Sequence, residues 1–249
     1  MSNVRYEQVA RDFDQVRDRR PEAQKVWCKH IADFLPEDRV GTVVDVGAGT
    51  GIWALAIASL LGVEVCAVEP SQGMRSHAAV ARPHPNVRYV AGTAEALPLG
   101  SDSVDAAWLS TVIHQFPDLG AAAGELRRVL RPDGPVLIRS SFPGRHDEIE
   151  LFHTFPGALR LARTWPRLGR VITAFEDAGF RFEVVERVRE PTFDSYREFL
   201  ELLPVMGRSD TALVDLDEDE WNTGVERIRR AQAEGKTPWD LGLDLLVMR

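Results

Sequence analysis

The segment Thr42-Val43-Val44-Asp45-Val46-Gly47-Ala48-Gly49-Thr50-Gly51 constrains the fold more than any other stretch of this chain. Its β-branched start favours a short strand buried on both faces. The glycines that follow admit a turn that side chains forbid, and Ile52 to Leu61, apolar nearly all round, reads as a buried helix. The alternation then repeats: strand Glu64–Glu69, helix Gln72–Ala81, strand Val87–Ala91, strand Val104–Leu109, helix Leu119–Leu130, strand Val136–Ser140. Strands separated by helical segments predict βαβ units and a parallel sheet with helices on both faces. Right-handed crossovers leave few ways to order the strands.

Two amphipathic helices precede this core. Tyr6, Val9, Ala10, Phe13 and Val16 follow helical spacing, and after Pro21, a favourable first-turn residue, Ala23, Val26, Trp27, Ile31, Phe34 and Leu35 repeat it. Beyond residue 140 the pattern loosens. Leu168, Val171, Ile172, Phe175 and Ala178 predict a helix stopped by Gly179; Phe180, Phe182 and Val184 alternate as a strand. Residues 192–235 read as helical, and Leu241, Leu243, Leu245 and Val247 alternate into a final strand. The acidic run Asp215 to Glu220 is read as the first turn of the last of these helices, where the macrodipole favours anions, rather than as a ligand site.

With 249 residues, 44% hydrophobic and 27% charged, the chain can bury a large core without staples. Its net charge of −8 argues against a partner held by nonspecific phosphate contacts, so no nucleic acid is expected. Cys28 and Cys66 have no metal-site spacing and read as buried apolar residues of a reducing compartment; no metal is expected. The first residues contain no apolar run and no stretch approaches a membrane span, so the expectation is a cytoplasmic protein without membrane association.

The glycine turn gains meaning from its company. Glu69 ends the second strand twenty residues after Gly49, where a carboxylate can accept both hydroxyl protons of a ribose. Asp45 directs a second carboxylate toward the turn. Gly47, Gly49 and Gly51 are spaced GxGxG, with the helix following at once, which leaves less room for a pyrophosphate than the GxGxxG of nicotinamide and flavin sites. The spacing favours a ligand with a ribose and no phosphate.

At these residues the sequence resembles the class I S-adenosylmethionine-dependent methyltransferases, in the branch typified by ubiquinone and menaquinone C-methyltransferases. The marks are Val43–Gly51, Val68-Glu69-Pro70-Ser71, the segment Gly92-Thr93-Ala94-Glu95-Ala96-Leu97-Pro98-Leu99, and Leu126 to Gly134, in the expected order. The resemblance implies an α/β, Rossmann-like, doubly wound, mostly parallel seven-stranded sheet with the last strand antiparallel. It places a helical lid over residues 1–36, the donor-binding core over 37–142, and the rest of the sheet over 143–249 with a helical acceptor cap inserted at about 190–236. It implies that Gly47, Ala48, Gly49, Thr50 and Gly51 wrap the methionine part of the donor, with Asp45 helping to hold its amino group. Glu69 would take the ribose hydroxyls, Pro70 and Met74 would pack on the adenine, and Thr93, Ala94 and Glu95 would lie beside its edge. Family members often carry Asp where Thr93 stands, which weakens or displaces one adenine contact. The carbonyl of Ser110 would sit near the sulfonium amine. Phe13 belongs to a segment similar to the family's donor-covering helix, and Arg17 either pairs with the donor carboxylate or lies on a solvated face.

The implied activity is methyl transfer (EC 2.1.1.-) to a small, partly apolar metabolite, at oxygen, nitrogen or carbon, with secondary metabolism as the expected setting. Such a displacement needs alignment and exclusion of water rather than a triad or a metal. His114, after the fourth strand, is either a base for the acceptor or a residue packed beside the donor. Phe142 and Arg145 follow the fifth strand and, with His153 and Phe155, are expected either to face the acceptor or to fill the cap's core. The alternatives are an NAD(P)-dependent oxidoreductase and a noncatalytic metabolite-binding protein on the same fold. Composition says nothing about oligomeric state.

Overall fold

The computed structural model describes residues 10–17, 20–35 and 41–249. The helix expected around Tyr6 therefore falls partly outside the described residues. Its described part is α1 (Ala10–Arg17), followed by α2 (Pro21–Phe34), which starts on its proline and buries Ala23, Trp27, Cys28 and Ile31 on one face. The core then runs β1 (Thr42–Val46), α3 (Ile52–Leu61), β2 (Glu64–Val68), α4 (Gln72–Ala81), β3 (Val87–Val90), β4 (Ala106–Ser110), α5 (Leu119–Val129) and β5 (Val136–Ser140). After it come α6 (Glu150–Thr154), α7 (Pro156–Ala162), α8 (Leu168–Asp177), β6 (Phe182–Glu190), α9 (Tyr196–Ser209), α10 (Glu218–Ala233) and β7 (Leu241–Met248).

The seven strands form one sheet in the order β3-β2-β1-β4-β5-β7-β6. Strands β1 to β5 pair in parallel, and β7 runs antiparallel to both β5 and β6, so the last strand alone is reversed, as expected. Successive strand residues face opposite layers. Val43, Trp108, Leu137 and Leu245 pack with Trp27, Ile31 and Ile57 on one side; Val44, Leu109, Ile138 and Leu246 pack with Leu126, Val171 and Phe175 on the other. That two-sided burial is why the inner strands are nearly all apolar.

Local signals set the helix ends. Ser71 caps α4 by accepting from the Met74 amide at 3.2 Å, and Asp118 caps α5 through the amides of Gly120 and Ala121. Asp217 and Glu220 make a capping box at α10, so the acidic run is a helix start, as the macrodipole suggested.

Three features differ from the sequence expectation. Strand β4 begins at Ala106, because Val104 makes only an isolated bridge to Leu130. Strand β6 extends to Glu190; its second half, Glu186-Arg187-Val188-Arg189-Glu190, is too charged to read as a strand until β7 pairs with it. Helices α6 and α7 were not anticipated, since each is too short to show a helical period. No helix among the described residues is long and apolar enough to cross a membrane.

Candidate active site

The carboxyl ends of β1, β2, β4 and β5 open into a cavity of about 540 Å³, covered by α1, α2 and α9. This is the size of a small-molecule site, and it lies where open α/β sheets bind ligands. One end of it, where the donor residues were expected, is built on the turn after β1. The amides of Gly47 and Ala48 donate to the Val68 carbonyl at 2.8 and 3.1 Å, which ties the turn to β2. Gly51 and Gly49 do different work. At Gly51 (φ +81) a Cβ would collide with the Tyr89 hydroxyl, so this glycine lets β3 pack on the turn. At Gly49 (φ +56) a Cβ would meet nothing within 4 Å: the backbone there is bare toward open space.

Glu69 closes the opposite wall. Its two carboxylate oxygens accept from the amides of Gly49 (2.9 Å) and Ser71 (2.8 Å), so the side chain is aimed at the cavity and attached to the turn. Burial leaves it 7% exposed. Asp45 lies deeper. It does not border the cavity; it is nearly fully buried, accepts the Ala54 amide in the first turn of α3, and has one carboxylate oxygen, Oδ2, with no hydrogen-bond partner among the described residues. Burial, reinforced by the charge of Glu69, pushes its pKa from 3.8 up to about 8. A cationic group seated at the turn would relieve that cost.

The other expected donor residues gather at the same end. Phe13, Ala48, Thr50, Pro70, Met74, Thr93, Ala94, Glu95 and Ser110 all border the cavity, whereas Gly51 does not. The side chain of Arg17 lies outside the described residues. Arg20, which sequence reasoning passed over, borders the cavity instead; it donates to the Thr192 carbonyl at 2.6 Å and pairs with Glu198 at 2.8 Å, fastening the N-terminal helices to the cap.

The residues expected to face the acceptor lie elsewhere. None of Phe142, Arg145, His153 and Phe155 borders the cavity. Phe142 is buried in the layer beneath the sheet, Arg145 is held by Asp244, His153 is exposed against Trp239, and Phe155 packs on Trp221. His153 and Phe155 are carried by the short helices α6 and α7, which left no periodic signal. Phe152, Trp165, Phe193 and Phe199 supply the aromatic wall.

Its floor is an ion pair that the sequence did not advertise. Arg139 of β5 meets Glu190 at the end of β6 at 2.5 Å, donates to Ser110 Oγ at 3.1 Å, and lies 5.1 Å from the ring centres of both Trp27 and Trp53. The Trp27 indole N–H donates to Glu190. The only warning was an arginine inside the otherwise apolar run Val136-Leu137-Ile138-Arg139.

His114 follows β4 in a single 3₁₀ turn (Ile113–Gln115), just after Thr111, whose φ of +53 is unusual for a β-branched residue. Its ring stacks on Trp165 at 4.2 Å, and Nε2 lies 3.3 Å from Thr211 Oγ1. Three loops, after β4, α7 and α9, therefore meet at this imidazole. Burial pushes the Cys28 thiol up to about 12 and raises that of Cys66, in keeping with structural cysteines.

Comparison with known proteins agrees with this geometry. The family described as "Methyltransferase domain" matches residues 44–138. The chain is 35% identical over 129 residues to a biotin biosynthesis bifunctional protein of Cellvibrio japonicus, covering 51% of this chain and 25% of that protein. It is 29% identical over 119 residues to the demethylmenaquinone methyltransferase of Staphylococcus haemolyticus, covering 47% and 50%. The match thus spans at most half the length of these curated relatives. A crystal structure from Anabaena variabilis, described as a methyltransferase of an antibiotic biosynthesis pathway, superposes with a TM-score of 0.75 at 24% identity, covering 91% of this chain and 99% of that one. That likeness shows the Rossmann-like fold.

Proposed function

We propose that the chain is a class I S-adenosylmethionine-dependent methyltransferase, in keeping with the methyltransferase-domain match over residues 44–138, and that it transfers a methyl group from S-adenosylmethionine to a small, partly apolar metabolite. One observation carries the donor assignment: the Glu69 carboxylate is fixed by two backbone amides directly across from the bare backbone of Gly49. A diol fits that carboxylate, and an extended amino-acid tail fits the glycine side. Asp45, with an unsatisfied oxygen beneath the turn, offers an acceptor close to where the donor's ammonium would lie, and that cation would favour the carboxylate's ionised form. Met74 and Ala94, both buried, offer apolar surface for the adenine.

The donor supplies a methyl group already activated on a sulfonium. The chain's residues have the remaining tasks. The turn and Glu69 orient the donor, while α1 and α2 exclude water from above. Phe152, Trp165 and Phe199 give the acceptor an apolar bed. His114, braced by Trp165 and Thr211, stands between the two ends and fixes the acceptor's approach; this stacked, tethered setting suits a positioning wall better than a freely exchanging base. The GxGxG spacing disfavours the nicotinamide alternative.

Calorimetry on the full chain with S-adenosylhomocysteine tests the assignment. The expected result is micromolar binding, a loss of at least tenfold in Glu69→Ala, and no competition by NAD(H) or NADP(H). No heat with S-adenosylhomocysteine, or tighter binding of a nicotinamide dinucleotide, overturns it. Donor binding with no labelled methyl transferred to any extractable metabolite favours the noncatalytic reading.

A further inference from the structure

We propose that Arg82 is a positioning residue of the donor site, because one guanidinium holds both the glycine turn and helix α1, making donor binding and the seating of α1 mutually stabilising. The inference rests on the donor reading above and adds the element that regulates it.

Arg82 closes α4 and is 5% exposed. Its Nη1 donates to the Thr50 carbonyl at 2.9 Å and to Asp14 Oδ2 of α1, also at 2.9 Å. Its own carbonyl accepts from the Tyr89 hydroxyl at 3.1 Å, and Tyr89 is the side chain packed against Gly51. Arg82 therefore grips the turn twice, once at Thr50 and once through Tyr89. His77, on the same helix as the cap residue, reaches Asp14 Oδ2 at 2.6 Å. Both contacts hold α1 to the donor half of the molecule.

The other sides of α1 face elsewhere. Phe13 and Val16 border the cavity, and Asp12 pairs with Arg208 of α9 at 2.8 Å. One short helix thus spans the donor half and the acceptor cap while covering the space between them. A buried arginine is costly unless its donors are matched, and two of its matches here lie on separate elements, α1 and the glycine turn. A donor that orders the turn fixes the Thr50 carbonyl, hence the guanidinium, hence Asp14 and α1. By reciprocity, seating α1 raises donor affinity by the same factor.

The test uses the full chain with S-adenosylhomocysteine as the probe. Asp14→Asn keeps the shape and removes the charge; Arg82→Lys keeps a charge but offers a point donor in place of the planar fork. Each is expected to weaken binding about tenfold, within the usual range of coupling between sites. The double variant should lose no more than either single one, and Asp14→Glu should recover part of the loss. Hydrogen exchange gives the second readout: the probe should slow exchange over residues 10–17 in the parent chain and leave it unchanged in Asp14→Asn. Arg160→Ala, which removes an exposed ion pair of the cap, should alter neither measurement. Lowered thermal stability with unchanged affinity, or losses that multiply in the double variant, overturns the proposal and leaves the donor reading standing. A parent chain that does not bind the probe overturns the donor reading, and this inference with it.

Discussion

Asp45 gives the sharpest quantitative prediction. Its pKa rises from 3.8 to about 8 on folding, mainly through burial. The folded chain therefore keeps a proton on this group, over roughly pH 4 to 8, that the unfolded chain releases. Stability is fully present below the unfolded pKa and falls as pH rises through this window, by about 1.4 kcal/mol per pH unit in its middle and roughly 6 kcal/mol in total. His146, whose pKa burial lowers, acts in the opposite direction below about pH 6.5, so the cleaner interval is pH 6.5 to 8.5. There the parent chain should lose about 2 kcal/mol relative to Asp45→Asn, which keeps an acceptor for the Ala54 amide and cannot ionise. Urea unfolding of both chains across that interval measures the difference. Saturating S-adenosylhomocysteine should narrow the gap, because an ammonium near the turn opposes the rise in pKa. Parallel curves for the two chains in the absence of ligand would refute the placement of Asp45 as a buried, protonated group.

Three further outcomes follow from packing and pairing. Glu190→Gln removes the negative charge that faces buried Arg139 and should cost about 3 kcal/mol in chemical denaturation, because the guanidinium is left without a countercharge. Gly224→Ala places a Cβ 2.0 Å from the Phe155 ring and should destabilise the chain by about 1–3 kcal/mol, read as a lower urea midpoint with an unchanged slope. Asp217→Ala removes the capping box of α10 and should cost about 1 kcal/mol without changing affinity for S-adenosylhomocysteine.

The end of the cavity that we assign to the donor was legible because its determinants are local. A β-branched run, three spaced glycines and a carboxylate closing the next strand lie within thirty residues, and each makes its contribution through backbone geometry that neighbouring residues impose. The acceptor end was not. Glu190 and Arg139 are 51 positions apart and meet only because β7 inserts between β5 and β6, bringing the ends of those strands to one floor. Phe155 and Phe142 carried the composition of a binding surface, yet burial against Trp221 and under the sheet made them core.

What the sequence determined by itself is therefore the parallel core, the glycine turn and the position of Glu69, since period and turn chemistry act over a few residues. Only the tertiary structure decided which aromatics face the cavity, which arginine grips the turn, and that Asp45 lies beneath the glycine turn rather than at the cavity wall. Those outcomes depend on long-range packing and desolvation, whose sign no local pattern records.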